Sequence, residues 1–285
     1  MQMQRKSEGA DAQVVQNAAK TLYANIRFAS VDHPIKVVML TSSVPNEGKT
    51  TVAYNLAVAV ASGGKRVLLV ECDMRRRSIA DSIGERARYG IYSVLSHQVE
   101  LSQAVVATQQ ANLFFLDAEP NIPNPADIIS SHRFRDLIAT MKASYDFVIV
   151  DTPPVGTFVD AAILSTLVDG TAIVVRDRFT HRNEVLAAYE QLKKADANII
   201  GVILNGTESD TSEYYYSYYN KDGKRVRKGH DHVEEGPSLP TQRSATPQAA
   251  SVPTQRSASG SVPAQRAAGV APAQGSLQSG SRFSR

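Results

Sequence analysis

Residues 35–51 read Ile-Lys-Val-Val-Met-Leu-Thr-Ser-Ser-Val-Pro-Asn-Glu-Gly-Lys-Thr-Thr. The apolar, β-branched run over 35–42 predicts a strand. The stretch 50–62 contains no Gly or Pro and stops at Gly63 and Gly64, which predicts a helix. Between them, residues 43–50 match the phosphate-binding loop, with Ser43 where the first glycine usually stands. In such a loop successive backbone N–H groups curl around phosphate oxygens, and the helix N-terminus adds positive potential. Gly48 permits close backbone approach, Lys49 would bridge the outer phosphates, and the Thr50 hydroxyl would ligate Mg²⁺. The expected nucleotide-contacting residues are therefore Ser43, Val44, Pro45, Asn46, Glu47, Gly48, Lys49, Thr50 and Thr51. A solvated turn with a stray lysine is the bland alternative, and the strand–loop–helix order speaks against it.

Working outward, short apolar runs at 66–71, 112–116, 146–151, 171–176 and 199–205 predict further strands. Helical spacing predicts a helix at 14–28, a helical pair over 126–144 and a helix at 183–195. Strands that are apolar throughout and alternate with helices imply an α/β fold, a mostly parallel sheet with helices on both faces. Ligands of such sheets bind at the carboxyl ends of the strands. The polar punctuation falls there, after Ser42, at Glu71-Cys72-Asp73, at Asp151 and at Asn205. Glu71 and Asp73, two positions apart, share one side of an extended chain. Beside a triphosphate they would hold Mg²⁺ or take the proton of an incoming hydroxyl; a solvated acidic turn is the alternative. Asp151 ends the run 147–151 and is the second carboxylate that a magnesium-dependent nucleotide site requires. The catalytic candidates are Lys49, Glu71, Asp73 and Asp151, and the metal candidates Thr50, Asp73 and Asp151.

The chain has 285 residues, with 31 basic and 28 acidic side chains and a net charge of +3. That balance gives no reason to expect nucleic-acid binding. The single cysteine, Cys72, excludes an intramolecular disulfide and reads as a small buried residue. No apolar run approaches the roughly 18 residues of a membrane span, and the first residues lack the apolar core of a secretory signal. The expectation is a cytoplasmic chain whose membrane contact goes through a partner. Composition divides it into a flexible stretch 1–11, a folded domain 12–206, a tyrosine-rich segment 207–228 and a disordered tail 229–285. The tail is rich in Pro, Ser, Gln, Ala and Arg, and repeats Pro-Thr-Gln-Arg-Ser-Ala from Pro240 and again from Pro253. His97, His132 and His181 have no partners at ligand spacing, and His230-x-His232 in the tail, which could bind a metal weakly, reads as part of a solvated polar tract. Five of the eleven tyrosines, Tyr214, Tyr215, Tyr216, Tyr218 and Tyr219, fall within six positions. They read either as a docking patch or as a row of phosphate acceptors, whose phenols, with a pKa near ~10, need a carboxylate to take the proton.

This ordered set resembles the bacterial tyrosine kinases of capsule and exopolysaccharide synthesis, the cytoplasmic kinase component. The resemblance covers about residues 12–220. It is carried by the phosphate loop, Leu-Leu-Val-Glu-Cys-Asp-Met-Arg-Arg at 68–76, Phe-Val-Ile-Val-Asp-Thr-Pro-Pro at 147–154, the stretches 90–95 and 124–129, and the tyrosine cluster. It implies a phosphate-loop nucleotidase fold of the MinD/ParA type and ATP- and Mg²⁺-dependent phosphorylation of the cluster on a neighbouring subunit. It also implies a homo-oligomer, and a transmembrane activator of the polysaccharide co-polymerase type that recruits the chain to the inner face of the plasma membrane. By the same resemblance Asn205 is expected near adenine, and Arg75 acts as an electrostatic partner of phosphate or of a neighbouring subunit. Glu71 stands where the family usually has Asp, and Asn17, Lys20 and Tyr23 replace the Glu, Arg and Arg of its assembly helix. Related positioning ATPases carry a second loop lysine where this chain has Val44, and lack the tyrosine cluster. A positioning ATPase and a nucleotide-binding adaptor without kinase activity are the two rival readings.

Overall fold

The computed structural model describes residues 2–29 and 34–207, with side chains from residue 12 onward. The tyrosine-rich segment from residue 208 on and the repeat tail lie outside the described residues. The elements run α1 (Gln2–Phe28), β1 (Val37–Ser42), α2 (Lys49–Ser62), β2 (Val67–Glu71), α3 (Ile79–Ile83), α4 (Ile91–Leu95), α5 (Leu101–Ala104), β3 (Val106–Ala107) and β4 (Leu113–Leu116). They continue with α6 (Pro125–Ile129), α7 (His132–Ser144), β5 (Phe147–Asp151), α8 (Asp160–Ser165), β6 (Gly170–Arg176), α9 (Arg182–Lys194) and β7 (Ile199–Asn205).

The seven strands form one sheet in the order β3-β4-β2-β5-β1-β6-β7, parallel except for the short edge strand β3. Its two faces are buried separately. Val37 and Met39 point into one core, walled by α7, α8 and α9, while Val38 and Leu40 point into the other, under α1 and α2. This double burial is why β1, β2 and β5 read as unbroken apolar runs rather than alternating ones. Chain order and spatial order part company at the centre, because β5 inserts between β1 and β2. That insertion opens the crevice at the carboxyl ends where such folds take ligands. The register sets Leu40 beside Asp151 and Glu71 beside Asp151, so three strand ends finish on one rim.

Most expected elements are present within a residue or two of their expected ends. The N-terminal helix differs, beginning at Gln2 rather than at 14, so it runs through the stretch 1–11 expected to be flexible. Nothing in that stretch opposes a helix except Gly9, since it holds no Pro and no β-branched residue. Tyr23, at a position of the resembled assembly pattern, packs edge-on against Phe147 with ring centroids 5.3 Å apart. The side chain thus serves the joint between α1 and β5, while Asn17 and Lys20 are exposed. The short elements α3, α4, α5, α8 and β3 gave no periodic signal, because two to six residues do not complete a pattern.

One polar joint fixes the start of the central strand. Asp169 accepts the N–H groups of Lys36 and Val37 at 2.9 Å each, and pairs with the Lys142 ammonium on α7. Burial pushes the Asp169 carboxyl up, but Lys142 and the two N–H groups outweigh it and hold it below its usual range. Asp169→Ala is expected to destabilise the domain by about 1–3 kcal/mol in urea unfolding at neutral pH. Because the folded value is lowered, this contribution is present above the ordinary carboxylate range and is lost as pH falls through the folded value. Unfolding curves of wild type and variant should therefore converge in acid.

Candidate active site

The loop 43–48 leaves β1 and enters α2 through Gly48, whose φ of 86° lies in the left-handed region. A Cβ there would sit 2.2 Å from the Asn205 Nδ2, so glycine is required both for conformation and for space. Ser43, the departure from the loop pattern, is buried, and its hydroxyl donates to the Glu47 carboxylate at 3.0 Å. The Val44 N–H donates to the same carboxylate at 2.8 Å, and so does the Thr180 hydroxyl from the turn before α9. Glu47 is thus folded back as an internal brace, and its backbone carbonyl accepts the Asn205 amide at 2.9 Å. Gly156 closes the other flank, because a Cβ there would lie 2.3 Å from the Ser43 carbonyl oxygen. Pro45, Asn46, Gly48, Lys49 and Thr50 line a cleft of about 410 Å³ with Asp73, Arg75, Arg76 and Ser78 facing them.

Lys49 stands at the centre. Its Nζ lies 3.2 Å from Asp73 Oδ2 and 3.6 Å from Asp151 Oδ1. Burial would push its pKa down, but Asp151, Asp73 and Glu71 outweigh that and hold it up, so the ammonium persists. The Thr50 hydroxyl donates to Asp151 Oδ2 and shares a 3.1 Å hydrogen bond with Ser78 Oγ. Asp151 is fully buried, and burial is the main reason its carboxyl is pushed up to about 6. Its Oδ1 has no hydrogen-bond partner among the described residues. A buried carboxylate oxygen that accepts no hydrogen bond and has only the Lys49 ammonium 3.6 Å away, beside a hydroxyl, is an oxygen-donor set that a hard divalent cation takes. Thr50 and Asp151 therefore fit Mg²⁺, with Asp73 on the facing wall. Among the described residues no three His, Cys, Asp or Glu side chains form a metal cluster.

Glu71 reaches the same rim but turns away from the cleft. Its Oε1 accepts the Asp73 N–H at 3.1 Å, and its Oε2 accepts those of Ser78 and Ile79 at 2.8 and 3.0 Å. Burial first, then the Asp151 charge, push its carboxyl up to about 8 against those N–H groups. Its geometry is that of a clamp on the loop 72–78. Cys72 is buried with its thiol pushed up by burial, in keeping with a packing role. Asn205, expected near adenine, meets the loop backbone, and Thr51 is exposed on α2. Arg75 donates to Asp160 through Nε at 2.8 Å and Nη2 at 3.3 Å, and its guanidinium lies 4.4 Å from the Phe158 ring centroid. Thr180, Ser78, Asp160 and Phe158 carried no sequence signal. Gly156, two residues past the Pro pair, is the one whose type hinted at close packing.

Loop, ammonium and paired carboxylates at the switch point of a parallel sheet define a phosphate-loop nucleotide-binding protein. Residues 36–203 match the AAA domain family. Over 204 residues, 71% of this chain and 86% of the relative, the chain is 40% identical to tyrosine-protein kinase YwqD of Bacillus subtilis. The kinase domain of Escherichia coli tyrosine kinase ETK superposes with a TM-score of 0.65 at 28% identity, covering 68% of this chain and 76% of that one. The septum site-determining protein MinD of Pyrococcus horikoshii, at 23% identity and a TM-score of 0.53 over 63% of this chain and 76% of that one, shares the fold. The chain belongs to the bacterial tyrosine-protein kinases.

Thr180→Val should leave the buried Glu47 carboxylate short of a donor and loosen the loop. A severalfold rise in nucleotide Kd by calorimetry is expected, about the effect of one charge-assisted hydrogen bond. Thr180→Ser should restore the affinity.

Proposed function

We propose that this kinase transfers the terminal phosphoryl group of ATP to Tyr214, Tyr215, Tyr216, Tyr218 and Tyr219 of a second copy. The observation that carries the reading is the Lys49 ammonium held between Asp73 and Asp151 at the mouth of the phosphate loop, in a chain with five tyrosines in six positions. Nucleotide phosphates lie along 43–50. Lys49 neutralises charge that builds on the transferred group. Thr50 and Asp151 would hold Mg²⁺, which would supply further charge neutralisation at the phosphates. Asp73, on the cleft wall, accepts the phenol proton as the tyrosine oxygen bonds to phosphorus and the bond to the ADP oxygen breaks. Glu71 positions Asp73 through its backbone N–H and takes no part in proton transfer.

Each phosphate adds about −1.5 to −2 charges, so a multiply modified cluster repels its neighbours and favours release of the copies from one another. The resemblance of the motifs supports a role in capsule or exopolysaccharide synthesis. It also supports a cytoplasmic chain held at the inner membrane face by an activator of the polysaccharide co-polymerase type. Among the described residues no helix is long and apolar enough to cross a membrane.

Lys49→Met is expected to lower phosphotyrosine formation by about 100-fold or more, the loss typical of removing a transition-state donor. Replacing the five cluster tyrosines with Phe should remove most of the label while calorimetric nucleotide affinity stays unchanged. Labelling of the Lys49→Met protein at the wild-type level would end the kinase reading in favour of a positioning ATPase or adaptor.

A further inference from the structure

β7 is the last strand of the sheet on the side away from β3, and among the described residues no strand pairs with its outer edge. The Asn205 carbonyl accepts the Asp177 N–H at 2.9 Å, so the main chain of Asn205 faces β6. Neighbouring residues of a parallel strand turn their main-chain groups to opposite sides, which gives the N–H and C=O groups of Leu204 and Val202 to the free edge. Their side chains are open as well, 57% exposed at Val202 and 56% at Leu204. Ile200 and Ile203 differ, packing against the core under α1 and α2. An outer strand with two open aliphatic side chains, and neither charge nor proline along 199–204, is a template for one more strand.

The chain that leaves β7 supplies a candidate strand. Gly206, at φ 74°, turns the backbone out of β7. Residues 206–213 are more than enough to return to a neighbouring strand position about 4.8 Å away. Beyond them 214–219 reads Tyr-Tyr-Tyr-Ser-Tyr-Tyr, a run of strong strand formers. In extended backbone Tyr214, Tyr216 and Tyr218 share one face as an unbroken row, whereas Ser217 interrupts the other. Folded back antiparallel, that row covers Val202 and Leu204, because residues opposite each other in such a pair share a face. A tether this short also holds the segment at the edge at an effective concentration on the order of millimolar, above that of a second copy in dilute solution.

Charge agrees at both ends of the strand. The hydrogen bond from Asp177 to Asn205 sets the turn 176–182 beside the carboxyl end of β7. That turn carries Arg176, Arg178 and Arg182 against Asp177 alone, and Arg176 and Arg182 are exposed. Glu184, just beyond it, is folded back onto the His181 N–H at 2.9 Å. The connecting stretch 206–213 carries Glu208, Asp210 and Glu213 and no Lys or Arg, so it meets opposite charge where it must turn. At the amino end of β7 the exposed Asp196 precedes Ile199, and a strand returning from Tyr214 brings Lys221 to that end.

We infer that residues 214–219 dock on the free edge of β7 in their own chain as a further, antiparallel strand, with Tyr214, Tyr216 and Tyr218 laid over Val202 and Leu204. Neither Val202 nor Leu204 lines the nucleotide cleft, so the docked segment is a parked form whose tyrosines are withheld from that cleft. On the kinase reading each phosphate adds about −1.5 to −2 charges to a ring that lies on aliphatic side chains, which holds a modified segment off the edge. The docking itself does not rest on that reading. It is tested by hydrogen–deuterium exchange on the full-length chain carrying Lys49→Met, in which the cluster stays unmodified. The Val202 and Leu204 amides should exchange about tenfold or more slowly than in the same chain with Tyr214, Tyr216 and Tyr218 replaced by Ser. Replacing Tyr215 and Tyr219 by Ser should remove much less of the protection, a comparison that leaves β7 untouched. The protection should be the same at low and high protein concentration. Val202→Lys should speed chymotryptic cleavage within 214–219 severalfold, with calorimetric nucleotide affinity unchanged. Fast exchange of both amides in the parent chain, equal loss in the two tyrosine variants, or protection that grows with protein concentration, the sign of a second copy on the edge, would overturn the inference. Phosphotyrosine formation by the wild-type chain is a separate readout, so the kinase reading stands or falls independently of these results.

Discussion

One ammonium group ties the centre of this molecule together. Lys49 Nζ, at the first residue of α2, reaches the ends of β2 and β5 through Asp73 and Asp151, with Glu71 close behind. Three carboxylates against one lysine leave a surplus of negative charge where little water enters. Burial first, and the neighbouring acids second, push two of them, Glu71 and Asp151, toward their neutral forms. Asp151 Oδ1, which accepts no hydrogen bond among the described residues and has the Lys49 ammonium 3.6 Å away, marks where a further cation would relieve that surplus. A magnesium-chelated nucleotide would supply a positive centre there together with the anion for the loop.

This concentration of charge is possible because the rest of the sheet is dry. β1, β2 and β5 are buried along their whole lengths, so their only polar residues gather at one end. Insertion of β5 between β1 and β2 then places those ends side by side. The loop stays open over them because it is braced from inside. Where the first glycine of the motif is replaced, the Ser43 hydroxyl is absorbed by Glu47, and Glu47 in turn is secured by Thr180 and the Val44 N–H. A loop braced in this way enters binding with little left to order.

The architecture was legible in the sequence because it rests on burial, and burial leaves long apolar runs. The strands at 35–42, 66–71 and 146–151 and the glycine-lysine turn needed no tertiary information. What escaped depends on partners distant in sequence. Thr180 is one threonine in a polar turn until the fold carries it to Glu47, 133 residues away. Arg75 could be named as a charge but not as one clamped by Asp160, 85 residues on. Tyr23 departs from the resembled assembly pattern, and only the structure shows it spent on Phe147. The stretches 90–95 and 124–129 were recognisable as motifs, yet that they wall one hollow, with Tyr92 and Leu95 facing Asp127 and Ile128, appears only in the fold.

Glu71 shows how one added methylene divides labour between neighbouring acids. An acid at the end of β2 has two uses, facing the nucleotide or fastening the loop that follows. The longer side chain spans to the N–H groups of Ser78 and Ile79 at the start of α3 while still accepting from Asp73. That closes residues 72–78 into a bight held at its base. One side of the bight presents Asp73 and Arg76 to the cleft, and the other presents Met74 to the neighbouring cavity, with Arg75 lining both. The fastening residue therefore sets the position of both walls at once, and Asp73, paired with Lys49, is the β2-end carboxylate that lines the cleft. The walls of the cleft and of the neighbouring cavity are tied together through this one buried side chain, because moving either would break its hydrogen bonds to the loop backbone.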